Sequence, residues 1–187
     1  MSILQESLYK FYENKYNLEK LLDYTIGEQK VSLRIIDWFV TNYSKKNNVF
    51  YEVYKDTNNN PTFTSDGNNL DNQFNVYYSY KSQLKSYSKK RFDPFCRRDR
   101  ILFTYDNGKK LETTIGQLNF FRWAIEHMVI EYIKNDYHTI ENDMNISYNV
   151  VKKKKSFSNE RKQRQELSKS ASRGLNSKQM KVVLDFN

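Results

Sequence analysis

Two stretches of this chain are apolar around more than one helical face, and a segment of that kind has to be enclosed by the rest of the fold. The first is VSLRIIDWFVTNYSKK, residues 31–46, with Val31, Leu33, Ile35, Ile36, Trp38, Phe39, Val40 and Tyr43. Ser32 suits its N-cap, and Lys45 with Lys46 suits the negative end of its dipole. The second is residues 115–134, where Leu118, Phe121, Ile125, Met128, Val129, Tyr132 and Ile133 share one broad face. Phe120, Trp123, Ala124 and Ile130 extend that face. Thr114-Ile115-Gly116-Gln117 reads as a capping box that opens it. Two enclosed helices in 187 residues imply one core, large enough to stand without disulfides. Only 38% of the chain is hydrophobic, low for a wholly folded globule, so part of it is expected to lie outside that core.

The remaining elements follow from periodicity. Residues 3–24 predict an amphipathic helix with Leu4, Leu8, Phe11, Leu18 and Leu22 on its stripe, interrupted by Lys15 and ended by Gly27. Residues 49–54 (VFYEVY) predict a strand, and the Asn-rich run 57–72 a surface loop. In residues 73–80, Phe74, Val76, Tyr78 and Tyr80 alternate and predict a second strand. Asn107-Gly108 between 101–105 and 110–114 predicts a hairpin with a type I′ turn. Residues 139–150 predict a shorter helix capped by Thr139. The expectation is an α+β fold over residues 1–150, with an antiparallel sheet of three to four strands packed by the two long buried helices. A basic, largely flexible tail over 151–187, with a short apolar end at 182–186, completes it.

Charge is distributed unevenly. The chain carries +9, yet residues 152–187 hold eleven cations against three acids, a net of +8. In KKRFDPFCRRDR, residues 89–100, six cations face two acids, a net of +4. The remainder is mildly acidic. Lysine, asparagine, tyrosine, phenylalanine and isoleucine are abundant while alanine, glycine and proline are scarce, a bias that reports AT-rich codons. Codon bias supplies lysine but not its asymmetry along the chain.

A basic loop and a basic tail displace counterions from phosphate, so DNA or RNA, bound without regard to sequence, is the expected partner. The candidate contacts are Lys89, Lys90, Arg91, Arg97, Arg98 and Arg100 in the loop and Lys152, Lys153, Lys154, Lys155, Arg161, Lys162 and Arg164 in the tail. A solvated tail that only keeps the chain soluble, or one that docks on a protein, fits the same charge. Phe92 and Phe95 flank Asp93-Pro94, and either stack on bases or turn inward as anchors; the stiff turn between them favours anchoring. Tyr77, Tyr78 and Tyr80 could stack bases on an open sheet, although core and rim positions suit them better.

No motif for an enzyme emerges. The five glycines are isolated, so no phosphate loop exists, and no zinc-protease, nucleophile-elbow or kinase string is present. Cys96 is the single cysteine and would be acidified by Arg97 and Arg98 if exposed. His127, with Glu131 one turn on, is a conceivable base for it, and a structural histidine is the simpler reading. A non-enzymatic protein is expected, with no cofactor and no metal. No apolar run is long enough to span a membrane and the N-terminus has no secretory signature, so no membrane partner is expected.

Residues 31–43 (VSLRIIDWFVTNY), 73–98 (through FNVYYSYKSQLKSYSKKRFDPFCRR) and 113–123 (TTIGQLNFFRW) resemble a protein family of the nucleocytoplasmic large DNA viruses, with mimivirus-like and algal-virus members. ELSKSASRGLN, residues 166–176, fits the same resemblance. It implies a host cytoplasm, at the viral factory, or the virion as the setting, consistent with one unpaired cysteine. It carries no activity and no catalytic residues. The functions expected are genome packaging or viral gene expression through phosphate binding. The alternative is a virion structural or assembly protein docking through its C-terminal segment, with viral structural or transcription proteins as partners.

Overall fold

Short polar side chains decide where the helices of this protein begin. The structure, a computed structural model, describes residues 2–26, 31–55, 57, 61–65, 73–106 and 108–157, of which 151–157 are described by backbone alone. Ser2 caps α1 (Ile3–Tyr12) and Asn14 caps α2 (Lys15–Thr25). The single helix expected over 3–24 is therefore two. The Asn14 carboxamide accepts from the backbone amides of Tyr16 (2.9 Å) and Asn17 (3.4 Å), replacing the helical bonds that a continuous helix would make there.

Ser32 caps α3 (Leu33–Trp38) as expected. This helix runs through a π-helical turn (Phe39–Tyr43) into α4 (Ser44–Lys46). The wider turn keeps Phe39 and Val40 buried while Thr41, Asn42 and Lys45 line an outward-facing groove. Strands β1 (Phe50–Lys55), β2 (Pro61–Thr64) and β3 (Gln73–Asn75) form one antiparallel sheet in the order β2-β1-β3. A strand thus lies inside the run expected to be loop, paired through Val53–Phe63.

The larger difference comes at residue 75. The strand expected over 73–80 ends there, and the chain enters α5 (Val76–Arg91). Asn75 caps it, accepting from the Tyr78 amide at 3.0 Å. Val76, Tyr80, Leu84 and Tyr87 then recur at helical spacing and face the core, the first two buried and the last two half-buried. Ser88 interrupts α5 with φ 57° and ψ 167°, a strained conformation for a residue with a Cβ.

β4 (Arg100–Tyr105) and β5 (Lys109–Thr114) form a separate two-stranded sheet. Their register pairs Tyr105 with Lys109, so three residues close the hairpin instead of the two of a type I′ turn. Asp106 (φ 26°) and Gly108 (φ 92°) both adopt positive φ. Thr114 caps α6 (Ile115–Glu126), in which Leu118, Phe120, Phe121, Trp123, Ala124 and Ile125 are all buried. Met128, left-handed at φ 54°, separates α6 from α7 (Val129–Asn135), so the second long helix is two that share one core. The last described element is α8 (Tyr137–Phe157), which starts before Thr139 and carries Lys152–Lys155 on its final turns.

The three-stranded sheet packs on the α6–α7 junction through Tyr51. Its ring lies 5.0 Å from that of Tyr132, nearly parallel, and its hydroxyl donates to the His127 carbonyl at 2.7 Å. The hairpin packs on α1 through Phe103, which touches Tyr9 and Tyr12. The α+β class read from the sequence stands, with a three-stranded antiparallel sheet and buried helices at both expected places.

Candidate nucleic-acid interface

The helix that takes the place of the end of the expected strand, interrupted at Ser88, is rich in cations. α5 contains Lys81, Lys85, Lys89, Lys90 and Arg91 and no acidic residue. All five are exposed. Lys81 and Lys85 are one turn apart and line a shallow groove with Tyr78, Ser82 and Leu84. Tyr77, the next ring, lines a second groove with Thr41, Asn42, Lys45 and Lys46. The Lys45 ammonium stands 5.5 Å from the Tyr77 ring centroid.

Beyond α5 the chain is fastened to the start of α6. Phe92 and Phe95 are buried, the anchoring that the stiff turn favours. The Phe92 ring meets Tyr80, Phe120 and Trp123, and burial of a side chain of this size stabilises by about 1.5–3 kcal/mol. Polar contacts complete the attachment. Asn119 donates to the Arg91 carbonyl (2.9 Å), Gln117 to the Pro94 carbonyl (3.0 Å), and the Asp93 amide to the Gly116 carbonyl (3.1 Å). Gly116 permits the approach: a Cβ there would stand 3.1 Å from the Lys90 carbonyl oxygen. The expected capping box is half formed. The Gln117 amide bonds to Thr114 Oγ1 at 3.0 Å, while the Gln117 side chain serves the basic loop.

The loop cations divide into two groups. Arg97 is held by Asp93 through three contacts of 2.8–3.0 Å and covers the Phe95 ring. Asp93 is buried, and that burial pushes its carboxyl above the usual carboxylate range even though Arg97 pulls the other way. Arg100 pairs with Glu112 across the hairpin at 2.6 Å, and Lys90 reaches Asp99 at 3.9 Å. Among the described residues, Lys81, Lys85, Lys89, Arg91 and Arg98 form no ion pair. Three of the loop candidates are thus paired with acids and three are not, and α5 adds the exposed Lys81 and Lys85, which sequence reasoning missed. The signal for them was present: Asn75 as a cap, followed by apolar residues at positions 76, 80, 84 and 87.

The tail candidates divide as well. Lys152, Lys153, Lys154 and Lys155 belong to α8, which packs on α3, the π-helical turn and α7. Arg161, Lys162, Arg164 and the apolar end 182–186 lie outside the described residues. Of the three tyrosines in the run that alternates, Tyr80 is buried in the core, Tyr77 is half-buried, and Tyr78 is 71% exposed.

Cys96 and His127 are not brought together. The loop bearing Cys96 is fastened at residues 116–119, whereas His127 follows the other end of α6. Partial burial raises the Cys96 thiol above its ordinary value, the reverse of the acidification expected from its neighbours, and Glu112 offsets Arg100 beside it. His127 places Nδ1 2.8 Å from the Trp123 carbonyl and stacks on Phe74 at 4.3 Å; burial lowers its pKa. The break at Met128 carries Glu131 elsewhere, where its Oε1 accepts from Lys20 (2.7 Å) and Tyr24 (2.5 Å). Among the described residues no cluster of three His, Cys, Asp or Glu side chains could hold a metal ion, and no helix is long and apolar enough to cross a membrane.

A family model described as a family of unknown function, DUF7197, matches residues 1–159. The chain belongs to that family. The chain is also similar to "Uncharacterized protein L507" of Acanthamoeba polyphaga mimivirus, 41% identical over 149 residues, 77% of this chain and 51% of the relative. The chain therefore spans about half the length of that relative. The large-DNA-virus resemblance read from residues 31–43, 73–98 and 113–123 is borne out. No solved structure matches.

Proposed function

We propose that this viral protein associates with nucleic acid through the acid-free face of α5 and the loop that follows it, without enzymatic activity, in genome packaging or viral gene expression. The observation that supports this reading is the set of five exposed cations, Lys81, Lys85, Lys89, Arg91 and Arg98, on a segment fastened to α6 and unpaired with any described carboxylate. A backbone already fixed loses little freedom when phosphates arrive, so mainly side-chain freedom is lost, and each contact releases counterions. The lysines at the end of α8 and those beyond Phe157 would add to the same attraction. The host cytoplasm or the virion is the proposed setting. The other reading, an assembly protein docking through residues 182–186, rests on residues outside the described part.

The test is anisotropy titration of the full chain with DNA and RNA oligonucleotides at several salt concentrations. The logarithm of affinity should fall linearly with that of salt, by about 0.7 per phosphate contact on a single strand and 0.9 on a duplex. Lys81→Gln with Lys85→Gln should flatten that slope by about 1.4 on a single strand. Arg100→Gln with Glu112→Gln removes a charge pair and leaves the net charge unchanged, so it should leave the slope as it was. Binding that ignores salt, or a flattening by the second pair and not the first, would refute the proposal.

A further inference from the structure

From the surroundings of Tyr78 we infer that the α5 face takes a single strand in particular, with an unstacked base lying on the Tyr78 ring and the flanking phosphates on Lys81 and Lys85. This deepens the nucleic-acid reading and rests on it. Tyr78 is 71% exposed in the first turn of α5, a large apolar area for a ring that the core does not use. It is not left loose: the Tyr77 ring meets it edge-on, 5.8 Å between centroids at 63°. Lys81 and Lys85 follow at three and seven residues, so both lie on the helix surface that Tyr78 occupies. The groove they line with Ser82 and Leu84 contains no acidic side chain.

An aromatic face offers nothing to a duplex, whose bases are already stacked on one another. A single strand has free base faces, and stacking on an exposed tyrosine is tolerant of sequence because every base has a π-face. Two lysines that leave the helix at positions about 6 Å apart along its axis supply the charge complement for adjacent phosphates of one strand. The Tyr77 groove, with Lys45 and Lys46, repeats the combination of one ring and two lysines beside it. That neighbouring groove lies on the α4 side of α5 and gives the strand a direction in which to continue.

The experiment uses the full chain and three fluorescein-labelled probes of equal length: a (dT)12 strand, a 12-nucleotide strand of abasic sites, and a 12-base-pair duplex. Unlabelled heparin serves as a competitor that has charge and no bases. Wild-type protein should prefer (dT)12 over both other probes. Tyr78→Ala should weaken (dT)12 binding by about tenfold, within the range for loss of one stacked base, and leave abasic-strand and heparin binding unchanged. Tyr78→Phe keeps the ring and should bind as wild type. Because Tyr78 is exposed, neither variant threatens the core, and circular dichroism with a matched urea midpoint confirms the fold. Unchanged (dT)12 affinity in Tyr78→Ala, or a wild type that binds the abasic strand or the duplex as tightly, overturns the single-strand inference while leaving charge-driven association intact. A wild type that binds none of the probes and no heparin overturns the underlying nucleic-acid reading.

Discussion

Replacing Arg97 with methionine tests whether the basic loop is held in place by a buried charge. Asp93 has only 8% of its side chain exposed, and among the described residues Arg97 supplies all but one of the bonds to its carboxylate. The exception is the Phe95 amide at 3.3 Å. Removing one partner of a buried pair costs about 3–5 kcal/mol, because the other charge is left without compensation. The Arg97 side chain is 36% exposed, so water can replace part of what is lost, which places the expected cost near the lower bound, about 3 kcal/mol. Methionine keeps the stem and a contact with the Phe95 ring, so packing contributes little to that figure. The pH dependence separates charge from packing. Burial already holds the Asp93 carboxyl above its ordinary pKa, so its contribution to stability is greatest in acid and is lost as pH rises through the folded value. Without Arg97 the folded value rises further and the window of loss extends upward. The Arg97→Met penalty should therefore be full at pH 7.5 and smaller at pH 5, as read by urea unfolding. Adding Asp93→Asn, which removes the buried charge, should recover most of the loss at pH 7.5. A penalty below about 1 kcal/mol at pH 7.5, or one that acidification does not reduce, would refute the argument.

Two further outcomes are expected. Gly116→Ala improves helix propensity, yet its Cβ would stand 3.1 Å from the Lys90 carbonyl oxygen, on backbone already fixed by the Asp93 amide and by Asn119, so the variant should lose about 1 kcal/mol instead of gaining stability; a raised urea midpoint would show that the loop moves aside freely. His127 has a lowered pKa because burial disfavours the imidazolium, so the stability it confers is complete above its unfolded value of about 6.5 and is lost as pH falls through the folded value. Between pH 7.5 and pH 5, wild type should lose more stability than His127→Gln, and equal losses measured by urea midpoints would remove His127 from the acid response.

Elements with caps and long apolar sets were legible in the sequence. Ser32 and Thr114 begin α3 and α6 where their hydroxyls suggested, because the apolar runs that follow leave no alternative burial. Breaks inside helices were not. Asn14 competes successfully with helix continuation, and Met128 occupies a left-handed conformation that tertiary packing imposes on a buried side chain. Residues 73–80 show the limit most clearly. Phe74, Val76, Tyr78 and Tyr80 satisfy a period of two over four apolar positions, yet Val76, Tyr80, Leu84 and Tyr87 satisfy the helical period over twelve residues. In the fold the longer pattern holds: Val76 and Tyr80 are buried, Tyr80 packs near Trp123, and Trp123 donates its indole N–H to Ser79 at 3.0 Å. At the candidate site, the loop cations were visible as a cluster, but their pairing was not, since Asp93 and Glu112 become partners only after the turn and the hairpin form.

That reassignment alters what the charge of the chain means. In sequence, residues 89–100 form the basic cluster within the domain; in the fold, Arg97 is committed to Asp93, Arg100 to Glu112 and Lys90 stands near Asp99. The surface instead draws on Lys81 and Lys85, which lie outside that cluster, and on Lys89, Arg91 and Arg98 from within it. Neutralised cations also have a use here: the Arg97–Asp93 pair and the Gln117 and Asn119 contacts fix the backbone beside Arg91 and Arg98, which form no ion pair among the described residues. A flexible basic run would bind phosphate with the entropy of every side chain and of the loop itself to be lost on contact. A run fastened to the most buried helix loses only side-chain freedom. The buried Phe92 and Phe95 rings therefore do not detract from a binding role, because their burial is what makes the exposed charge an ordered surface.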